Sequence, residues 1–171
     1  MSSLHATDLE LPIPAADARA HSARVTASVR EHIEKAGGAL PFDRYMDHVL
    51  YAPGLGYYAA GARKFGPSGD FVTAPELGPL FGRCLARQLA EVLQRLGTGG
   101  VLEAGPGTGA LAAVLLEELA ALDALPDQYA LLEPSPDLKD RQQAMLADRL
   151  GDRMTRCNWL DDLPRDWTGV V

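Results

Sequence analysis

The chain has 171 residues, 47% of them hydrophobic, which is enough for one domain with a mostly aliphatic core. A formal net charge of -7 and a pI near 5.0 disfavour a nucleic-acid backbone as primary partner. Cys84 and Cys157 stand far apart and the four histidines show no ligand spacing, so neither a disulfide framework nor a metal site is supported; the cysteines read as buried or half-buried thiols.

Residues 1–17 are polar, carry Pro12 and Pro14, and read as a mobile tail. Asp8, Glu10 and Asp17 argue against a basic presequence, and no apolar run approaches the ~20 residues of a membrane span. The expectation is a cytoplasmic protein with no membrane partner. Residues 18–97 read as a helical region. An amphipathic helix starts near Arg19, with Val25, Val29, Ile33 and Ala36 on one face, and stops at Gly37-Gly38. Pro41 opens a short second helix that ends at Pro53-Gly54. The segment 54–74 is rich in glycine and aromatic rings and is too long for a plain connection, which marks it as functional. A long helix follows, with an apolar stripe through Leu77, Leu80, Phe81, Cys84, Leu85, Leu89, Val92, Leu93 and Leu96. Thr73 and Glu76 have capping-box spacing at its start, with Pro75 in the first turn.

Residues 98–171 alternate strand and helix. Strands are expected at Val101–Glu103, Tyr129–Glu133 and Met154–Cys157, with helices through Leu111–Leu122 and from Pro136 to about Leu150. Such alternation predicts an α/β fold with a parallel, Rossmann-like sheet and right-handed crossovers. Thr168 to Val171 look like the start of another buried strand. A sheet of three or four parallel strands would leave an uncovered edge, so the expectation is the N-terminal portion of a truncated fold, or a sheet completed by a partner chain.

The chemistry concentrates in Glu103-Ala104-Gly105-Pro106-Gly107-Thr108-Gly109, between a strand and a helix. Glycines there allow a tight turn and a close backbone approach to a ligand. The same spacing also fits a dinucleotide loop. Glu103 discriminates: a carboxylate at the end of the strand would repel a pyrophosphate but attract the ammonium and sulfonium of S-adenosylmethionine. Glu133, at the end of the second strand, stands about where an acceptor for ribose hydroxyls is expected, some ~20 residues beyond the loop; it is also readable as a charge at a helix N-terminus. Asn158 and Trp159 either border an adenine or belong to the core. A P-loop and a nucleophile elbow are excluded, because neither Gly-Lys-Ser/Thr nor G-x-S-x-G occurs.

The run YMDHVLYAPGLGYYAAGARKFGPSGDFVTAPELGPLFG, with LEAGPGTGAL and LLEPSPDLKDRQ, resembles the MidA-type methyltransferase family, over about Leu40 to Gln143. That family includes mitochondrial arginine methyltransferases that assist complex I assembly. The resemblance implies a class I S-adenosylmethionine fold, with the cofactor held by Glu103, Gly105, Gly107 and Glu133. Pro106 and Gly109 complete the loop, and Phe71 and Thr73 are candidates for the cofactor mouth. It implies a protein substrate. A protonated arginine acceptor would need a carboxylate to orient it and offset its charge. Asp70 is the candidate, and an Asx-type turn after Gly69 is the other reading. Glu76 reads as a capping residue rather than a catalytic one. Tyr57 and Tyr58 shape an acceptor channel or pack with their hydroxyls satisfied. Two alternatives remain open at this point: a nicotinamide or flavin oxidoreductase, and a non-catalytic assembly module that keeps the fold without the activity.

Overall fold

The computed structural model describes residues 13–60 and 72–171; Asp70 and Phe71 lie outside the described residues. The chain divides into two compact units, Met1–Val49 and Leu50–Val171. In the first, helix α1 (Ala16–Lys35) turns at Gly37-Gly38 into α2 (Phe42–Tyr51), whose last residues enter the second unit. No α1 residue is fully buried; Val25, Val29 and Ile33 are half-buried, while Ala36 is exposed. The His32 and His48 rings lie 4.0 Å apart, and Ser28 Oγ shares a 3.0 Å hydrogen bond with His48 Nε2.

The second unit holds the sheet. The expected long helix is two: α3 (Ala74–Leu77) and α4 (Leu80–Leu96). Gly78, at φ 152°, breaks the chain between them, and Pro79 disfavours helical backbone at the residue before it. The expected stripe is also rotated. Leu77 and Leu80 are 78% and 74% exposed, and Phe81, Cys84, Val92 and Leu96 face outward. The buried face is Gly82, Ala86, Leu89, Ala90 and Leu93. Small residues on this face let α4 approach α5 (Ala110–Ala121) closely, so close packing rather than the largest side chains sets the helix rotation.

Strands β1 (Gly100–Ala104), β2 (Tyr129–Leu132), β3 (Cys157–Leu160) and β4 (Gly169–Val170) form one parallel sheet in the order β3-β2-β1-β4. Helix α5 connects β1 to β2, and α6 (Pro136–Leu150) leads from β2 toward β3. Leu115, Leu116, Leu119, Tyr129, Leu131 and Leu146 are among the core residues at 2% exposure or less. The third strand lies later than the expected Met154–Cys157, because Gly151–Arg156 wind into a 3-10 helix after α6. Asn158 and Trp159 therefore sit within β3 rather than after it. Cys157 is half-buried, and burial pushes its thiol up to about 11.

A Cβ on Gly82 would come within 2.6 Å of Val114 Cγ1 and 3.0 Å of Val114 Cβ. Gly82→Ala is therefore expected to destabilise the unit by about 1–2 kcal/mol, the overpacking penalty being partly offset by the better helix propensity of alanine. Thermal melting checks this, and an unchanged or raised melting temperature would mean that α4 and α5 are not in such tight contact.

Candidate functional site

In parallel sheets, ligands settle outside the carboxyl ends of the strands, where neighbouring strands connect in opposite directions. Here that point is β1, with β2 on one side and β4 on the other. The loop leaving β1 runs through Gly105, Gly107 and Gly109, at φ 69°, 58° and 82°. The Gly105 N–H donates to Leu132 O at 2.9 Å, which pins the loop across the end of β2. Among the described residues, no atom lies within 4 Å of where a Cβ on Gly105 would stand, so they leave the space beside this backbone unfilled. Gly109 instead lies against α6, where a Cβ would come 3.0 Å from Met145 Cε, and its left-handed φ of 82° itself favours glycine.

Two cavities flank the loop, and both are lined by Gly105 and Gly107. The first, about 200 Å³, is lined by Tyr51, Tyr58, Glu133, Pro134 and Leu138. The second, about 240 Å³, adds Thr73, Glu76, Glu103, Pro106 and Thr108. A ligand lying along the loop thus meets Glu133 at one end and Glu103 with Glu76 at the other.

Glu133 is 3% exposed, and its two oxygens are held from different directions. Oε1 accepts from the Ser135 N–H at 2.9 Å, and Oε2 accepts from Gln142 Nε2 at 3.3 Å. Burial raises its pKa, opposed by these two hydrogen bonds and by the charge of Lys139. Ser135 caps α6 by accepting from the Leu138 N–H at 3.4 Å, and its hydroxyl donates to Tyr58 O at 2.9 Å. The helix cap therefore also fastens the tyrosine segment at the mouth of the first cavity. There Tyr58 stacks on Tyr51, with ring centroids 5.7 Å apart, while Tyr57 meets it edge-on. Tyr58 thus stands beside Glu133, in the cavity on the β2 side.

Glu103 is mostly buried, which raises its pKa, and Oε2 accepts from the hydroxyl of buried Tyr129 at 2.6 Å, which lowers it. Glu76 departs from expectation. Thr73 precedes α3 but makes no side-chain cap, and the Glu76 carboxylate accepts a hydrogen bond from the Thr108 hydroxyl in the glycine loop. The capping box gives way to a tertiary bond, because Thr108 offers a stronger donor than a backbone N–H of a one-turn helix. Of the two readings of Trp159, the core contact is the one observed. The ring packs against the core and its indole N–H donates to Gln142 Oε1 at 2.9 Å, while Asn158 is exposed; neither lines the two cavities.

Gln142 was not anticipated. It is fully buried and touches both the loop and Glu133. Its signal was in the sequence: Leu138, Gln142, Leu146 and Leu150 form an i, i+4 stripe on the buried face of α6, with one polar residue among leucines. Among the described residues no His/Cys/Asp/Glu group could hold a metal ion, and no helix is long and apolar enough to cross a membrane.

Residues 84–171 match the family described as "Putative S-adenosyl-L-methionine-dependent methyltransferase". The chain belongs to this family. It is similar to the mitochondrial protein arginine methyltransferase NDUFAF7 homologue of Drosophila melanogaster, 36% identical over 48% of this chain and 19% of the relative. Against NDUFAF7 of Danio rerio it is 30% identical over 73% of this chain and 32% of the relative. A Burkholderia thailandensis protein crystallised with S-adenosyl-homocysteine superposes with a TM-score of 0.80 and 49% identity, covering 94% of this chain and 43% of that one. The chain thus spans about a third or less of these curated relatives, and under half of the solved structure. Membership gives the α/β architecture its place as a Rossmann-like methyltransferase fold and favours that reading over a nicotinamide or flavin oxidoreductase. The cytoplasmic expectation is corrected, because the curated relatives are named mitochondrial. Acidic residues near the start bear on one kind of import signal and not on the compartment itself.

Proposed function

We propose that the chain carries the cofactor-binding part of an S-adenosylmethionine-dependent protein methyltransferase, with an arginine side chain as acceptor. The observation that carries the reading is the pair of cavities sharing one glycine backbone, with a buried carboxylate on one side and two carboxylates on the other. Support comes from the 49%-identical relative bound to S-adenosyl-homocysteine and from the relatives named protein arginine methyltransferase.

The residues fit such a ligand. Glu133 is an acceptor for the ribose hydroxyls, and the Tyr51–Tyr58 pair offers an aromatic wall beside it. Gly105 leaves room for the ligand against the backbone, and Gly107, at φ 58°, turns the loop beside it, with Pro106 between them. Glu103 faces the ammonium end, where its charge is attractive, and Thr73 and Glu76 border the same cavity. The cofactor supplies an electrophilic methyl group, and the protein's work is to hold it in line with the acceptor and keep water out. Asp70 and Phe71, outside the described residues, stay in the proposal on their sequence positions: Asp70 to orient the guanidinium, Phe71 at the cofactor mouth.

Calorimetric titration with S-adenosylhomocysteine, with NADH as control, tests the reading. Saturable binding of the first and none of the second is expected. Binding of NADH alone would sink it.

A further inference from the structure

Gln142 is the fully buried polar side chain that joins three parts of the site. Its Oε1 accepts from Trp159 Nε1 on β3 at 2.9 Å. Its Nε2 donates to Gly107 O in the glycine loop at 2.8 Å and to Glu133 Oε2 at 3.3 Å. Among the described residues, every buried side-chain nitrogen and oxygen has a partner, so this network is complete.

The chemistry of the partners allows one orientation of the amide. An indole N–H only donates; a backbone carbonyl and a carboxylate only accept. Turning the amide over would set an N–H against the Trp159 N–H and its oxygen against the Gly107 carbonyl and the Glu133 carboxylate. Because Gln142 is fully buried, each such mismatch carries a desolvation penalty. Trp159 therefore fixes Gln142, and Gln142 in turn fixes the Glu133 carboxylate and the Gly107 carbonyl. The Ser135 N–H holds the other Glu133 oxygen. The methylenes of Gln142 lie under Gly109, at an ordinary contact distance of 3.5 Å from where a Cβ would stand, which places the amide beside the loop.

We infer that Gln142 is a positioning residue for ribose recognition, its amide locked by Trp159 so that Glu133 presents its carboxylate to the ribose hydroxyls. This rests on the cofactor reading given above. Trp159 then acts through Gln142, one strand away from the ligand, and not as a wall of an adenine pocket.

The test compares affinities for S-adenosylhomocysteine and for its 2′,3′-dideoxy analogue in the wild-type chain, in Gln142→Met and in Trp159→Phe. Methionine keeps the length and bulk of glutamine without the donor, and phenylalanine keeps an aromatic ring without the N–H. The wild type is expected to prefer the natural ligand by about a thousandfold, the worth of two hydrogen bonds to a charged acceptor. That preference is expected to fall about tenfold in Q142M and less in W159F, while affinity for the dideoxy analogue changes little. The Glu133 carboxyl, followed by carbon-13 NMR, is expected to titrate higher in Q142M, since a donor that favours its ionised form is gone. Equal weakening of both ligands, with the preference intact, would overturn the inference and leave Gln142 a packing residue. A wild-type chain that binds S-adenosylhomocysteine without preferring it over the dideoxy analogue would overturn the ribose role of Glu133 itself. If Q142M alone fails to fold, W159F and the wild type still decide between these outcomes.

Discussion

Replacing Glu133 by glutamine is expected to weaken S-adenosylhomocysteine binding by about a hundredfold while leaving the melting temperature within a few degrees of wild type. The two effects separate because the charge serves the ligand and not the fold. Glu133 sits 3% exposed, and burial is the largest influence on its pKa, in the upward direction. A buried carboxylate is costly to keep ionised, and the Ser135 N–H, Gln142 and Lys139 offset part of that cost. A glutamine relieves the buried charge and can still accept from Ser135, but its amide N–H then faces the Gln142 N–H, so the relief and the mismatch offset one another and stability changes little. The ligand loses more: hydroxyl hydrogen bonds to a carboxylate are worth about 1.5–3 kcal/mol each, against roughly 1 kcal/mol for a neutral acceptor. Calorimetry and thermal melting on one sample read both effects. Affinity within about threefold of wild type would remove Glu133 from the cofactor site.

Glu103→Gln is expected to raise stability and lower affinity together. Burial lifts the Glu103 pKa above its ordinary value of 4.5, more than the Tyr129 hydroxyl lowers it. The folded chain therefore holds this proton more tightly than the unfolded chain. With a raised acid, stability falls as pH climbs from the unfolded value through the folded one. The glutamine variant lacks that decline and still accepts from Tyr129. At neutral pH it is expected to melt above wild type, with the difference vanishing below about pH 4, where both side chains are neutral. Loss of the charge facing the ammonium is expected to weaken S-adenosylhomocysteine binding about tenfold at neutral pH. A variant that melts lower at neutral pH would show that the ionised carboxylate contributes to the fold itself.

The placement of both glutamates beside the glycine loop was legible in the sequence, because each stands at the end of an apolar strand that leads into a glycine or proline break and then a helix. The order of elements was legible because short apolar runs, buried without alternation, give way to the near-four spacing of a helix. What escaped depended on choices between competing partners. Thr73 and Glu76 have capping spacing, yet Thr108, distant in sequence, takes the carboxylate. The long stripe across Leu77–Leu96 hid a break at Gly78-Pro79 and a buried face made of small residues. The third strand was misplaced because Met154–Arg156 wind into the end of a 3-10 turn, which the weak alternation there did not separate from a strand. Gln142 escaped because a polar residue in a helix is ordinarily assigned to water, and only the leucines before and after it at i±4 reveal that it faces inward.

The central place of β1 has a consequence for how the molecule is made. During synthesis β1 emerges first, and its partner β2 follows after one helix, so this pairing and the glycine loop between them form from nearby chain. The other edge of β1 must wait for Gly169 and Val170, which are translated only after α6, the 3-10 turn and β3. Until then Gly100 and Val101 offer unpaired backbone groups to any strand in the neighbourhood. The pairing with the highest sequence separation is thus expected to form last, and self-association is expected to compete most strongly while that edge waits.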